Sequence, residues 1–402
     1  MSRTPSASRR AGVYGMPFDR IGGGQLFQAL VADALTARYE VDLIHHTPGL
    51  TLAELAGHYG INPHRVRLRE VAAFPARWPY VEAGGTGIRE SFAAHAALTR
   101  DYDLFVDIVM GPPIRSSARQ SALLVLFPSE GQRDLWPWAE PPGETPVIKK
   151  ILRSRFYRRR WRTVFGSYQR CIAISEFTAR WVRNRWNLDS EILYPLVRAR
   201  FEVRPKQNII LSVGRFSHYG TQKKQLEMVR CFAGLGLPGW EYVCMGGLAN
   251  DPADHRFYQE ICEAARGNPV RVVANPDGQE VKEAYERASI FWHAAGLGED
   301  ESANPERSEH FGMSTVEAMA AGCVPVVIRR GGQPEIVEQG ASGFLWDTLE
   351  ELAGYSRRLA TQPELRETMA RAARLRSERF TDEATFGNRL LAILDPTGRP
   401  AE

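Results

Sequence analysis

Two acidic residues in the second half of the chain stand eight positions apart, on either side of a run of mostly small residues. Glu309 precedes this run and Glu317 ends it, in a pattern that predicts the start of a helix followed by a buried strand. The run contains Phe311, Gly312, Met313, Ser314 and Thr315. Backbone N–H groups at a helix N-terminus bind phosphate, and flanking carboxylates can accept hydrogen bonds from sugar hydroxyls. For Glu317 alone, an ordinary solvated helix acid remains the alternative.

A pair of cationic residues could serve the same ligand. Arg215 follows an apolar strand pattern at residues 209–213, and Lys223 stands where the next helix is predicted to begin. A guanidinium at the C-terminal edge of a strand and an ammonium at the following helix start can converge on one diphosphate. Because this spacing alone is weakly specific, two surface cations without function remain the alternative.

These side chains need a scaffold, and the apolar pattern predicts one. The chain has 402 residues, of which 44% are apolar and 24% charged, as is typical of a soluble globular protein large enough for two domains. Short apolar runs alternate with amphipathic stretches in both halves, which favours parallel sheets covered by helices. The predicted fold class is therefore α/β, with two doubly wound Rossmann-like domains that face each other across a ligand-binding cleft.

Breaks in this alternation predict the domain boundaries. Residues 1–10 are polar and are predicted to form a flexible tail before an N-terminal domain at 11–199. A polar segment with Pro205 precedes a fresh series of strands, so the C-terminal domain is predicted at 200–378. Residues 379–402 are predicted to form a helix and a tail that pack back toward the N-terminal domain.

Charge, cysteine content and hydropathy exclude several classes of protein. The 51 basic and 47 acidic residues leave a net charge of +4, too small for a protein that coats itself on nucleic acid. Five scattered cysteines without a CxxC pair argue against a disulfide framework or a zinc site and favour a reducing cytoplasm. No apolar run has the length of a signal-peptide core after the first ten residues or of a membrane-spanning helix elsewhere.

Histidines and an acidic loop raise the question of a metal site. The histidines concerned are His45, His46, His293 and His310, whose spacings supply no third and fourth ligand. The acidic loop at residues 299–301 is interpreted as solvated, because no ligand set surrounds it. We therefore expect neither a metal nor a cofactor.

A glycine triplet follows the first predicted strand of the N-terminal half. Gly22, Gly23 and Gly24 would allow the backbone to approach a phosphate or an acceptor closely. Their position after a strand and before a helix favours that interpretation over a purely structural turn.

A basic stretch at residues 149–170 contains nine Lys and Arg residues and no acid. Tyr157, Trp161, Phe165 and Tyr168 recur in it at helical spacing. The stretch is suited to an anionic membrane surface, as would fit peripheral contact with the inner face of a membrane. The alternative is a helix that packs its aromatic side chains on the N-terminal core and exposes its arginines.

Taken together, the motifs of the second half resemble those of the retaining glycosyltransferases of family 4. The resemblance rests on the E-x7-E run from Glu309 to Glu317, on Gly214-Arg215, on Lys223 and on the GGQPEI segment at 331–336. It is strongest over residues 209–346 and thinner in the N-terminal half. It implies the two-domain GT-B fold and a C-terminal half that binds a nucleotide-sugar donor.

The resemblance also implies roles for individual residues. Arg215 and Lys223 would bind the diphosphate, with Lys224 taking the second role if the alignment slips by one. Glu317 would contact the ribose and Glu309 a hydroxyl of the donor sugar, while the backbone of 311–315 would surround sugar and phosphate. Arg215, Lys223 and Glu309 are thereby the candidate catalytic residues. Selection of the base is expected in the loop at 274–278, which contains Asn275 and Asp277.

The reaction implied is transfer of a hexosyl group from GDP-mannose or a UDP-hexose to a saccharide or lipid-linked acceptor, as in polysaccharide biosynthesis. Family members retain the anomeric configuration by front-face attack and need no metal. One position departs from the family pattern, because Leu126 stands where many members carry a histidine, and Ser129 or Glu130 are candidates to replace it. This leucine leaves a catalytically silent nucleotide-sugar-binding protein as an alternative, and the shared architecture leaves a sugar-nucleotide epimerase of the same fold as another.

Overall fold

The computed structural model describes residues 9–18, 22–59, 65–72, 86–128, 159, 161–202 and 204–395. The chain divides into two compact units. Unit 1 comprises residues 1–194 and 384–402, and unit 2 comprises residues 195–383. Each unit is an α/β structure with its own sheet.

Unit 1 is built on a seven-stranded sheet in which all strands are parallel, in the order β3-β2-β1-β4-β5-β6-β7. The strands are β1 (Arg10–Tyr14), β2 (Glu40–His45), β3 (Val66–Glu70), β4 (Leu104–Val109), β5 (Gln120–Val125), β6 (Arg170–Ala173) and β7 (Glu191–Ile192). The helices between them include α1 (Gly23–Leu35), α2 (Leu52–Tyr59), α3 (Thr86–Thr99) and α4 (Glu176–Trp186). Every residue of β4 is buried, as expected of a central parallel strand that is covered on both faces.

Unit 2 has a six-stranded parallel sheet in the order β10-β9-β8-β11-β12-β13. Its strands are β8 (Gln207–Val213), β9 (Glu241–Gly246), β10 (Val270–Ala274), β11 (Ala288–His293), β12 (Val324–Ile328) and β13 (Phe344–Trp346). Its helices are α5 (Gln225–Ala233), α6 (Pro252–Ala265), α7 (Gly278–Arg287), α8 (Met313–Ala320), α9 (Gln333–Ile336), α10 (Leu349–Thr361) and α11 (Pro363–Thr381), with a 3-10 turn at Pro305–Arg307. Trp292 and Trp346 are fully buried in its core.

The units meet along the chain a few residues from the sequence-predicted boundaries. Val197 is buried, and its N–H donates to the carbonyl of Phe380 at 2.9 Å, so unit 2 begins at Pro195 rather than at residue 200. Phe380 in turn packs on Phe311, and α11 continues to Thr381, beyond the boundary predicted at 378. Apolar packing at both ends of the segment thus lengthens unit 2.

The last helix, α12 (Glu383–Leu394), belongs to unit 1 from Ala384 onward. The Phe386 ring lies edge-on to Phe27 of α1 at 5.9 Å, and Arg9 forms an ion pair with Asp395 at 3.5 Å. Arg10, placed in the tail by the sequence pattern, is the first residue of β1. Residues 1–8 and 396–402, the rest of the predicted tails, lie outside the described residues.

A buried acid fixes the loop after β4 in unit 1. Asp107 is 1% exposed, and its carboxylate accepts hydrogen bonds from the Ile114 N–H and the Tyr168 hydroxyl, both at 2.9 Å. Burial raises the pKa of Asp107 from 3.8 to about 7, against the opposing effect of these two hydrogen bonds. The carboxyl therefore titrates near neutral pH in the folded protein.

No helix within the described ranges is both long and apolar enough to cross a lipid bilayer. Core packing also accounts for the described part of the basic stretch at 149–170. Trp161 contacts Phe165 at 4.3 Å and Trp186 at 6.0 Å between ring centroids, and Phe165 is buried. These contacts agree with the alternative in which the aromatic side chains pack on the core. Tyr157 and the other residues of 149–158 lie outside the described residues.

Candidate functional site

The sequence-predicted site residues of unit 2 lie at the C-terminal edge of its sheet. β8 and β11 are neighbours in the centre of the sheet and run parallel, so their C-terminal ends meet at one edge. β8 leads into Gly214 and Arg215, and β11 ends at His293. Ligands of open α/β sheets bind at this edge.

Lys223 and Glu309, the predicted cation and acid, form a direct ion pair between Nζ and Oε2. Each side chain is 19% exposed. The same Oε2 accepts a hydrogen bond from Nε2 of His293 at 3.1 Å. Burial acts to raise the pKa of Glu309, but the Lys223 charge and the His293 hydrogen bond outweigh it and hold the pKa well below 4.5. Glu309 is therefore ionised, and its Oε1 accepts no hydrogen bond from the described residues.

His293 is almost fully buried at the end of β11, and its burial lowers its pKa below 6.5. The neutral ring must carry its proton on Nε2 in order to donate to Glu309. From the sequence, His293 was a candidate only as a metal ligand, and its contact with Glu309 was not predicted. Its position as the last residue of a buried strand was the available signal.

Two glycines allow Lys223 to reach the site. A Cβ on Gly214 would lie 2.8 Å from Cγ of Lys223, so the lysine stem runs directly over this glycine. A Cβ on Gly246, at the end of β9, would lie 1.9 Å from the carbonyl oxygen of Gly214. The buried Gln225 amide donates to the carbonyls of Gly214 and Arg215 at 3.2 and 2.9 Å and fixes the turn.

Arg215 is exposed, and its guanidinium has no ion-pair partner among the residues that the structure describes. Lys224, the fallback for Lys223, differs from both. Its Nζ lies 2.9 Å from the carboxylate of Glu299, which also pairs with Arg307 at 3.0 Å. Of the two adjacent lysines, only Lys223 contacts Glu309.

The prediction of a solvated acidic loop at 299–301 is wrong for two of its members. Glu299 is only 15% exposed in its ion pairs with Lys224 and Arg307. Glu301 accepts hydrogen bonds from the N–H of Gly331 at 2.8 Å and the hydroxyl of Ser308 at 3.2 Å. Through Glu301, the loop is thus hydrogen-bonded to Ser308, which precedes Glu309, and to Gly331, which lies against the Glu309 carbonyl.

The helix predicted between the two acids is α8. Gly312 is its N-cap with a φ of +123°, a conformation open to glycine, and Met313, Ser314 and Thr315 form its first turn. The N–H groups of Met313 and Ser314 have no acceptor within the described part of the chain. They are available to an anion, as the sequence pattern predicts.

Two side chains of this segment point into the protein instead. Phe311 is 2% exposed and packs on Phe380. The Thr315 hydroxyl donates to the Gln333 side chain at 2.9 Å, and both residues are buried. Phe311 and Thr315 can therefore contribute only backbone groups to a ligand, which is the role that the resemblance implies for them.

Glu317 follows in the second turn of α8. Its Oε2 accepts a hydrogen bond from the hydroxyl of the buried Tyr285 at 2.8 Å. Burial raises the pKa of Glu317 from 4.5 to about 7, although the hydrogen bond acts to lower it. The two acids of the E-x7-E run thus differ in charge near neutral pH, with Glu309 ionised and Glu317 titrating.

The GGQPEI segment supports Glu309 through the backbone. Gly331 has a φ of +59°, and a Cβ there would lie 2.0 Å from the carbonyl oxygen of Glu309. The N–H of Gly332 donates to that carbonyl at 2.8 Å. Only glycine at 331 permits this close approach.

In unit 1, the glycine triplet lies at the start of α1. Gly22 is the N-cap, and Gly23 and Gly24 are the first two residues of the helix. A Cβ on Gly24 would lie 3.2 Å from Cδ1 of Leu126, which is 6% exposed. Leu126 therefore packs beside the glycines, while Ser129 and Glu130 lie outside the described residues.

The remaining candidate ligands have partners within the protein. Asn275 accepts a hydrogen bond from the N–H of Leu248 at 2.7 Å, and Asp277 forms a capping box with Glu280 at the start of α7. His46 bonds to the Tyr14 hydroxyl and to the Val71 carbonyl, both at 2.9 Å, and His45 contacts the Thr47 carbonyl at 3.1 Å. Burial lowers the pKa of His310 to about 4. Among the described residues, His218, Asp251 and Asp254 form the one group of three His, Cys, Asp or Glu residues whose ligand atoms lie within 4.8 Å of one another.

Sequence comparison places unit 2 beside known transferases. Residues 195–376 match the family Glycosyl transferases group 1. The chain is 25% identical over 277 residues to a GDP-Man:Man(3)GlcNAc(2)-PP-Dol alpha-1,2-mannosyltransferase of Dictyostelium discoideum, covering 62% of this chain and 52% of that protein. It is 26% identical over 209 residues to a sulfoquinovosyl transferase of Arabidopsis thaliana, covering 48% and 36%. The chain thus spans about half or less of the length of these relatives.

Comparison with solved structures covers both units. The match to a glycosyltransferase from Rickettsia africae covers 97% of this chain and 100% of that protein, with a TM-score of 0.66 and 15% identity. The match to the Anabaena protein HepE, solved with UDP and glucose, covers 96% of this chain and 100% of that protein, with a TM-score of 0.67 and 16% identity. At these identities the likeness concerns the fold, and it confirms the predicted fold class with two Rossmann-like units.

Proposed function

We propose that this chain is a retaining glycosyltransferase that uses a nucleotide-sugar donor, a proposal supported by the match of residues 195–376 to the family Glycosyl transferases group 1. The donor is GDP-mannose or a UDP-hexose, and the hexosyl group passes to a saccharide or lipid-linked acceptor. The observation that carries the proposal is the ion pair of Lys223 with Glu309 at the C-terminal sheet edge. A cation for a diphosphate and an acceptor for sugar hydroxyls are thereby in direct contact.

The charges of the site suit a diphosphate leaving group. An ammonium has three N–H donors, so Lys223 retains two for phosphate oxygens while one serves Glu309. Arg215 is unpaired within the described residues, and the N–H groups of Met313 and Ser314 add neutral donors. Negative charge grows on the diphosphate as the reaction reaches the transition state. Such fixed donors therefore stabilise the transition state more than the ground state.

In the proposed reaction, the bond between C1 of the sugar and the donor phosphate oxygen breaks, and the electron pair leaves with the diphosphate. The acceptor hydroxyl forms a new bond to C1 from the same face, and its proton passes to a phosphate oxygen. Glu309 orients the sugar through Oε1 and forms no covalent bond. Arg215 and Lys223 take the role that a metal has in other phosphate sites, so we propose that transfer needs no metal, and addition of EDTA should leave the rate unchanged.

The first experiment identifies the donor nucleotide. GDP, UDP, UMP and ADP are compared for thermal stabilisation of the protein, since a ligand that binds only the folded state raises its apparent stability. We expect GDP or UDP to stabilise it, in agreement with relatives that include a GDP-mannose-dependent mannosyltransferase. Failure of all four nucleotides would contradict the proposed function.

The second experiment tests the site with matched variants. Glu309→Ala and Arg215→Ala should sharply reduce transfer while the fold is retained. Lys223→Met should also abolish stabilisation by the diphosphate, whereas Lys224→Met should not, because Lys224 is paired with Glu299. Equal effects of the two lysine variants would show that charge near the site, and not contact with Glu309, accounts for binding.

One observation favours a second candidate, a binding protein without turnover. Leu126 is an apolar, buried side chain where many family members carry a histidine, and it cannot hydrogen-bond to donor or acceptor. Donor binding without release of nucleotide across a broad acceptor panel would favour this second function. Release of nucleotide only when an acceptor is present would favour transfer over both binding and epimerisation.

A further inference from the structure

The buried hydroxyl of Tyr285 lies 2.8 Å from one oxygen of Glu317 and leaves the other oxygen without a partner among the described residues. We propose that Tyr285 is a positioning residue that holds Glu317 so that its free oxygen, Oε1, accepts hydrogen bonds from the ribose of the donor. This inference rests on the proposed function. It adds a residue on a different helix to the donor site.

The ring and the backbone of Tyr285 are both held by neighbouring residues. The ring packs against Phe201 at 5.5 Å and Phe291 at 6.1 Å between centroids. The Tyr285 carbonyl accepts hydrogen bonds from Lys206 at 3.0 Å and from the Cys323 thiol at 3.3 Å. These contacts hold ring and backbone in place with the hydroxyl against Glu317 of α8.

The direction of the hydrogen bond follows from the acidities. Burial, together with the neighbouring Glu317, raises the pKa of Tyr285 well above 10. Tyr285 therefore keeps its proton and donates it, so Glu317 Oε2 is the acceptor. An unpaired phenol at this depth would be costly, and Glu317 is the partner that satisfies it. One contact thus fixes both side chains.

The same division of labour occurs at the other acid of the run. Lys223 and His293 both contact Oε2 of Glu309, and its Oε1 accepts nothing from the described residues. Each carboxylate therefore uses one oxygen for the protein and presents one acceptor to a ligand. Two such acceptors suit a ligand that carries hydroxyl groups at two places, as a nucleotide sugar does on its ribose and on its hexose.

The test compares Tyr285→Phe with a matched control. Tyr242→Phe removes another fully buried hydroxyl of unit 2, which is hydrogen-bonded to Ser212 at 2.7 Å and to neither acid. Affinities for GDP and UDP and for their 2′,3′-dideoxy counterparts are measured by titration calorimetry for the wild type and both variants. The dideoxy nucleotides lack the two ribose hydroxyls and report the rest of the site.

We expect Tyr285→Phe to weaken ribonucleotide binding by about 5- to 10-fold, the equivalent of one hydrogen bond, and to change dideoxynucleotide binding by less than about 2-fold. Tyr242→Phe should leave the ratio of the two affinities unchanged. A loss of the same size for both nucleotide types in Tyr285→Phe would indicate a merely structural role and overturn the inference. So would a wild type that does not prefer the ribonucleotide.

A second variant keeps the test decisive if Tyr285→Phe does not fold. Glu317→Gln preserves the volume of the side chain, and its amide oxygen can still accept from Tyr285. The –NH₂ then replaces the free acceptor, and we expect the preference for ribose to disappear while thermal stability is kept. An unchanged preference would overturn the inference, whereas a wild type that binds neither GDP nor UDP would reject the proposed function itself.

Discussion

The ion pair of Lys223 and Glu309 predicts a measurable coupling between two charges. Lys223→Met removes the ammonium but keeps an apolar stem over Gly214, and Glu309→Gln removes the carboxylate charge but keeps its shape. In Lys223→Met, the hydrogen bond from His293 is the one contact that the Glu309 carboxylate keeps among the described residues. The double variant removes both charges together, so no partly buried charge is left without its partner.

The magnitude follows from the burial of the pair. Exposed ion pairs contribute about 0.2–1 kcal/mol, and breaking a buried pair costs about 3–5 kcal/mol. Both side chains here are 19% exposed, so the pair is closer to a buried ion pair than to an exposed one, although water still reaches it. We therefore expect Lys223→Met to lower the free energy of unfolding of unit 2 by about 2 kcal/mol, with a coupling energy of about 1–2 kcal/mol recovered in the double variant.

Amide hydrogen exchange is the assay, because peptides from β8 and β11 report the free energy of unfolding of unit 2 separately from unit 1. The pH dependence provides a second readout. The pKa of Glu309 is lowered in the folded state, so its stabilising contribution is present above 4.5 and is lost as the pH falls. In Lys223→Met the pKa rises, and the loss should begin at a higher pH.

The control is the exposed pair of Arg271 and Glu241, which are 3.3 Å apart and 56% and 41% exposed. Its coupling energy should stay below about 0.5 kcal/mol. Strictly additive effects of Lys223→Met and Glu309→Gln, or a coupling no larger than that of the control pair, would refute the reasoning.

Three further variants test other features. Gly331→Ala should lower the midpoint of thermal unfolding much more than Gly340→Ala. Both glycines have positive φ, but of the two only a Cβ at 331 would meet a backbone atom, the Glu309 carbonyl oxygen at 2.0 Å. Equal shifts of the midpoint would contradict this. Because the pKa of Asp107 is raised, the folded state holds an extra proton between pH 3.8 and about 7, and the free energy of unfolding falls as the pH rises through this window. Asp107→Asn should reduce the difference between the free energies of unfolding that urea titrations give at pH 5 and pH 8. An unchanged difference would count against this reasoning. His293→Phe should raise the pKa of Glu309 and move the acid limb of nucleotide-sugar binding to higher pH, since Glu309 is assigned to the sugar; titration calorimetry with GDP-mannose or a UDP-hexose between pH 4 and pH 7 would detect this, and a limb that stays in place would argue against the hydrogen bond.

Local patterns predicted the parallel sheets and the helix that begins between Glu309 and Glu317, because both depend on residues close together in the sequence. The apolar runs of β8 and β11 are nearly continuous. Glu309 lies just before α8 and Glu317 within it, so the two acids are only eight positions apart. Lys223 was predicted from its place at a helix start. Its pairing with Glu309 spans 86 positions and is visible only when the two strand ends meet at one edge.

Partners that come from distant elements left no such signal. Tyr285 reaches Glu317 from α7, and in the sequence it is an ordinary aromatic residue of an amphipathic helix. The acidic loop at 299–301 was misjudged because the cation that pairs with Glu299, Lys224, lies 75 positions away. Burial of a charge depends on such tertiary contacts, whereas composition reports only that charges are usually exposed.

The two-segment construction of unit 1 has a consequence for synthesis on the ribosome. Unit 2 is one uninterrupted segment, complete once residue 383 has emerged, whereas the half that is made first still waits for α12 and its Phe386. The nascent N-terminal half must therefore remain without its last helix, with Phe27 uncovered on that side, while some 190 residues of the other half are translated. Synthesis of α12 is thus the step that completes the fold of unit 1.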